Sequence, residues 1–308
     1  MRAVLASLAA ALFLAGAQPA VAQPAVAQSA VAQSEPKGSE QPRIVLGQVG
    51  LSFYAVVGGV VQELLEREGF EVELVEAPHA EIFPRLGAGE IDILAAAWLP
   101  GGHAALYAPV EDATFQVARI YEDARFFWVV PSYVPESEVA SIADLSKPEV
   151  RGRMLNRIVS LPEATGLTTG GRRVMAAYDL EAAGYRLVAG SPAEWLGAFR
   201  EAVENEDWVV FPLWQPQWVN ATYDVRRLEE PRQAYGDPDS AYLIGHDALR
   251  DKLPEATLSL LANIRFPVEA VTEMDRMVNV DGLSPREAAR RWMAENAETV
   301  EAWSGNQS

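Results

Sequence analysis

The chain has no cysteine in 308 residues, which excludes both a disulfide framework and a lipid-modified N-terminal cysteine. Histidine is scarce. Its three copies, His79, His103 and His246, have no partners at metal-ligand spacing, so no metal or other cofactor is expected, and His79 and His246 read as surface or packing residues. Positive charge is short as well. Lysine and arginine total 25 against 43 acidic residues, a formal charge of -18 and a pI near 4.6. Nucleic acid and anionic membrane surfaces would both repel such a chain, whereas a cationic or zwitterionic small molecule is compatible with it. Past the N-terminus no long apolar run occurs, and the one at residues 3–16 falls short of the ~20 residues needed to cross a bilayer.

What is present begins with a leader. Arg2, the apolar stretch and then Ala20-Val21-Ala22 read as a secretory signal with a small-residue cleavage site, spanning residues 1–22. Its removal takes away only Arg2 and leaves 24 basic against 43 acidic residues, a formal charge of -19. A free, unanchored, secreted chain fits a periplasm. Residues 23–42 form a spacer that opens on an Ala-Val-Ala-Gln repeat, too poor in bulky side chains to offset the entropy of ordering.

From Arg43 the pattern changes to alternating strand and helix signals. Residues 44–49 and 71–75 read as strands around a helix at 54–68 that Gly69 stops; a helical stretch near 82–86 and a buried strand at 91–98 follow. This order implies an α/β fold with a parallel sheet. A strand at 126–130 runs into Pro131, where the first lobe is expected to end. The second unit carries a helix at 169–178, a strand at 185–188, a helix opened by Ser191-Pro192-Ala193-Glu194, and a strand at 208–214. From Leu243 on the chain reads as helical, and Ser284-Pro285-Arg286-Glu287 opens a helix carrying Ala288, Trp292 and Trp303. Both tetrads are capping boxes with proline at the first helical position. The expectation is two lobes, residues 43–131 with 237–305 and residues 132–236, each a parallel-type sheet flanked by helices. A ligand then sits at strand ends in the crevice.

Two segments share a design in which an apolar strand ends in tryptophan and is followed by proline: Trp98-Leu99-Pro100-Gly101-Gly102-His103, and Trp214-Gln215-Pro216-Gln217-Trp218. An indole face attracts a cation at ~0.5–1 kcal/mol when exposed and ~2 or more when desolvated. A quaternary ammonium donates no N–H bonds, so stacked aromatics suit it. The alternative reading makes both tryptophans core residues of separate lobes.

The chain resembles the glycine betaine, carnitine and choline-binding proteins of ABC transporters from residue 44 to residue 303. The resemblance rests on Trp98-Leu99-Pro100 with His103, on Trp214 to Trp218, on Tyr223-Asp224 with Leu228-Glu229-Glu230-Pro231, and on Val129-Val130-Pro131-Ser132-Tyr133. It implies a type II periplasmic binding protein fold, a monomer that hands a small quaternary ammonium ligand to an ABC permease in the inner membrane, and no catalysis. It also implies that Trp98 and Trp214 form cage walls, that His103 holds a carboxylate tail, and that Gly166 and Leu167 supply backbone donors. The physics agrees, since free N–H groups at a helix start favour an anion. Three positions depart from the family. Leu51 stands where a further cage tryptophan is found, with Phe53, Tyr54 or Trp128 as the aromatics to compensate, while Trp218 is a separate ligand-contact candidate; Glu163 lies in the loop before Gly166; Gln217 replaces a histidine. Glu163 is expected to face solvent, and an inward Glu163 would favour a purely cationic ligand such as choline.

Two other readings stay open on the sequence. An enzyme would need a nucleophile with a base, a metal cluster or a cofactor loop, and the glycine-rich residues 166–171 lack the lysine of a phosphate-binding loop. A ligand sensor docking a membrane receptor would use the same closed lobes.

Overall fold

The computed structural model describes residues 42–305, so the leader and all of the spacer but Pro42 lie outside the described residues. Nine strands are present in that span: β1 (Arg43–Val49), β2 (Glu71–Ala77), β3 (Ile93–Leu99), β4 (Thr114–Pro131), β5 (Arg157–Ser160), β6 (Arg186–Ala189), β7 (Phe211–Gln215), β8 (Val225–Arg227) and β9 (Asp239–His246). The main sheet runs β2-β1-β3-β9-β4-β7, with β8 also pairing β4, and β5-β6 is a separate parallel pair.

The expected parallel order holds for β2-β1-β3 and for the separate β5-β6 pair, but not across the rest of the main sheet. The sheet is mixed, because β9 runs antiparallel between β3 and β4, and β7 and β8 are antiparallel to β4. Two sequence readings are corrected here. Residues 243–246 are strand, not helix, and the short strand near 126–130 is the end of an 18-residue one. Register shifts between Gln116 and Ala118, and twice more before Ala124, break the alternation of β4 that marks a strand. Bulges also twist and bend a strand. After the last shift β4 leaves β9 and pairs with β7 from Arg125 to Val129 and with β8 from Val129 to Pro131.

The helices follow their caps. The helix Ser52–Arg67 is buried along most of its length and ends at Gly69, whose φ of 90° suits a residue without Cβ. Ser191 and Ser284 each form the expected capping box, with a side-chain oxygen accepting the N3 N–H and the N3 glutamate bonding back. The second of these helices, Pro285–Glu295, stops about two turns short of Trp303, which it was expected to carry. Asn296 separates it from a further helix, Ala297–Trp303, so Trp303 stacks on Trp292 from a different element. Glu63 joins this helix to Ser52–Arg67 by accepting from both Arg286 and Arg290.

Two apolar clusters are buried. One runs from the first sheet through Trp98 and Phe53 to Trp195, Phe211 and Trp214; the other gathers around Trp128, Ile158 and Trp208. Replacing Ser284 by alanine removes one capping box and is expected to lower Tm by about 2–4 °C in a thermal melt. An unchanged Tm would show that the Pro285–Glu295 helix is held by packing alone.

Candidate functional site

Strands β1, β2 and β3 are parallel, so their carboxyl ends open on the same edge of the sheet, and each ends in a side chain of one small cavity. Leu51, Phe53 and Tyr54 follow β1, His79 follows β2, and Trp98 and His103 close β3. Leu161, Thr165, Gly166 and Leu167 enter from beyond β5, Phe126 from β4 and Trp214 from the end of β7. Phe53 sits between the two tryptophans, its ring centroid 5.6 Å from each. The space left among these rings is about 20 Å³, room for roughly one water.

The β3 end is held by reciprocal bonds. Trp98 N–H donates to His103 Nδ1 at 3.0 Å, and His103 N–H donates to Trp98 O at 2.9 Å. With Nδ1 accepting, the neutral ring carries its proton on Nε2, which lies 3.3 Å from the Tyr54 hydroxyl. Burial, with His79 beside it, pushes His103 well below its usual pKa; burial lowers His79 to about 4. Both rings are therefore neutral at pH 7. Burial raises the Tyr54 pKa well above its ordinary value, so its hydroxyl stays protonated. The Trp98 indole N–H donates to Tyr121 Oη at 2.8 Å. Asp239 holds the following turn by accepting from Gly101 and Gly102 N–H.

The Trp214 wall is built differently. Its ring lies 4.9 Å from Trp195, whose own N–H is bonded to Pro212 O. The Trp214 indole N–H is buried and has no partner among the described residues, a condition worth about 1–3 kcal/mol of lost hydration. At the third wall, Gly166 and Leu167 begin the helix Gly166–Ala177, capped by Thr165. Their N–H groups precede the first intrahelical bond and have no partner within the helix. A Cβ on Gly166 would stand 2.8 Å from the Phe126 ring, so only glycine fits there.

Eight of the nine expected site residues thus meet at one cavity: Leu51, Phe53, Tyr54, Trp98, His103, Gly166, Leu167 and Trp214. Trp218 is not among its walls. It is buried between Tyr223 and Arg200, one turn past the strand end, where the chain has already bent away. Trp128 lies in the other apolar cluster, bonded to Tyr235. Gln217 is turned back onto Val219 N–H. Glu163 faces solvent, as expected, and there pairs with Arg172. His79, expected as a surface or packing residue, lines the cavity. Its place after a parallel strand is the signal that would have found it.

Asp275, unremarked in the sequence, ties the two sides together. Its buried carboxylate accepts from Trp218 N–H at 2.8 Å and from Asn279, which also donates to Ser52 Oγ beside Phe53. Burial raises its pKa to about 6, against the pull of bonds from Ser52, Trp218 and Asn279. The folded chain then holds this proton more tightly than the unfolded one, so the group's contribution to stability falls as pH rises from about 4 through 6, by about 3 kcal/mol at most. Denaturant unfolding at both ends of that window should show this loss in the native chain and not in Asp275→Asn. Equal slopes in the two would place the proton elsewhere.

Among the described residues, no group of acidic or histidine side chains could hold a metal, and no helix is long and apolar enough to cross a membrane. The family model for the substrate binding domain of the ABC-type glycine betaine transport system matches residues 42–295. A glycine betaine/carnitine transport binding protein of Listeria monocytogenes is 26% identical over 153 residues, 49% of this chain, and the match spans about half (50%) of that relative's length. Among solved structures, a lactococcal protein in its closed-liganded conformation with glycine betaine aligns with a TM-score of 0.76 at 22% identity, covering 85% of this chain and 99% of that one. A glycine betaine/L-proline-binding protein from Borrelia burgdorferi gives 0.75 at 20% identity, over 85% and 96%. An ABC-transporter choline-binding protein in complex with choline gives 0.70 at 18%, over 85% and 91%. At such identities these likenesses establish the shared α/β periplasmic binding protein fold.

Proposed function

The chain belongs to the family of substrate-binding domains of ABC-type glycine betaine transport systems, and from that premise we propose that it captures a small quaternary ammonium compound of the glycine betaine, choline or carnitine type for an ABC importer. One observation carries the reading: indoles from β3 and β7, more than a hundred residues apart, line one cavity with Phe53 at 5.6 Å from both. A methylated ammonium can exchange hydration for such faces and loses no hydrogen bond in doing so. Phe53 and Tyr54, not Trp128, supply the further aromatic surface beside Leu51.

An anionic tail has its donors in the Tyr54 hydroxyl and in the first N–H groups of the Gly166–Ala177 helix. His103, neutral and with both nitrogens engaged, acts by holding Trp98 and Tyr54 in place. With Glu163 paired outside, no carboxylate among the cavity walls opposes such a tail. The unpartnered Trp214 N–H would gain an acceptor from a ligand oxygen or a water.

The packed rings leave too little room for a trimethylammonium group, so binding requires them to part. Relative movement of two lobes, residues 43–131 with 237–305 against residues 132–236, provides this. The pairing of β4 favours a hinge nearer Ala124 than Pro131. We place the mature chain in the periplasm as a monomer docking an inner-membrane permease; it carries no cofactor and performs no catalysis.

Trp98→Leu and Trp214→Leu should each weaken binding of glycine betaine or choline by about 2- to 30-fold in calorimetric titration. Trp214→Leu is the cleaner test because its indole N–H has no partner to orphan, whereas Trp98→Leu also strands the Tyr121 hydroxyl. Unchanged affinity in both would remove the cavity from consideration. Recovery of a chemically altered ligand would make the protein an enzyme.

A further inference from the structure

Behind Phe126 lies a second cavity of about 210 Å³, much larger than the aromatic one and sharing Phe126 and Gly166 with it. Its walls carry six charges: Arg125, Arg173, Arg227, Glu230, Asp237 and Asp239. They are unequally committed. Both Asp239 oxygens accept backbone N–H bonds from Gly101 and Gly102. Glu230 accepts from the Tyr178 hydroxyl and from Arg232 and Ala234 N–H. Among the described residues, Asp237 is the one wall carboxylate with no such bonds.

The arginines are left with donors to spare. Arg125 pairs with Asp123, yet its Nε is buried without a partner. Among the described residues, Arg173 donates only to the carbonyls of Ala234 and Tyr235. Arg227 lies over the Phe127 ring at 4.8 Å and, among the described residues, makes no ion pair and no side-chain hydrogen bond. Burial, with Arg125 beside it, pulls the Arg227 pKa down against Glu230. An arginine held in this way favours an incoming anion.

The partition between the two spaces is one ring thick. Trp98, Phe126 and Tyr235 form a ladder with steps of 5.2 and 5.8 Å, and backbone alone, Gly102 against Gly166, fills the seam beside Phe126. We propose that the two cavities act as one bipartite site, in which the aromatic rings hold a quaternary ammonium head while Arg227 and Arg173 hold an anionic group on a tail several bonds longer than that of glycine betaine. This rests on the functional reading above and narrows it to amphoteric ligands with widely separated charges.

The test titrates the full chain calorimetrically with trimethylammonio carboxylates that differ only in the number of methylenes between nitrogen and carboxylate, each beside its methyl ester. Affinity should rise by at least about tenfold from the shortest member to one that spans Phe126, the worth of one charge-assisted hydrogen bond. The esters should lose that gain. Arg227→Gln and Arg173→Gln should lose it too while binding glycine betaine as the native chain does, with thermal melts showing both variants folded. Glycine betaine binding together with a flat or falling series, or a length gain that survives in both variants, overturns the bipartite site and leaves the aromatic one standing. No binding by any member overturns the functional reading and this inference with it.

Discussion

Phe53 packs between Trp98 and Trp214, and the surrounding backbone is arranged so that the three rings can meet. Two of them stand at the ends of neighbouring parallel strands, where a sheet edge naturally presents side chains to a crevice. The third arrives on β7, which reaches the same place only because β4 bends away from β9 and carries β7 with it. Asp275 then fastens the segment after β7 to the segment that begins at Ser52. A cavity made this way is as open or closed as the two sides are apart, which is the property a capture protein needs.

Local chemistry at this site runs against the chain's overall charge. A formal charge of -18 would attract any cation at long range, but screening over about 10 Å confines that effect to the approach. Inside, the walls are neutral: His79 and His103 are held unprotonated by burial, Tyr54 protonated. On the proposed reading, selectivity for a methylated cation would come from ring faces and not from a carboxylate, which would equally hold a metal ion or an amine. The neighbouring space sets three arginines, their donors only partly used, against three carboxylates in a chain short of basic residues.

Much of the fold was legible because its signals are local. The capping boxes at Ser191 and Ser284, the glycine stop at Gly69 and the apolar runs of β1 and β3 each report on a few consecutive residues. β9 and the first half of β4 were not legible. Bulges interrupt the alternation of β4, and the last half of β9, from Leu243 to His246, reads as the start of the helical segment that follows it. The second helix boundary at Asn296 was missed because the helical spacing of Trp292 and Trp303 continues across the break.

At the site, residue type and strand-end position determined which rings and which helix start could serve: Trp98, Trp214, Phe53, Tyr54, Gly166 and Leu167 are all visible as aromatics or free donors beside a strand or helix terminus. Tertiary structure alone decided that they converge, that Trp218 and Trp128 turn elsewhere, and that His79, Phe126 and Asp275 join them. The reason is distance along the chain. Periodicity and capping act over a few residues, whereas convergence depends on the register of β4 against β7 and β9 and on a carboxylate buried between segments more than fifty residues apart.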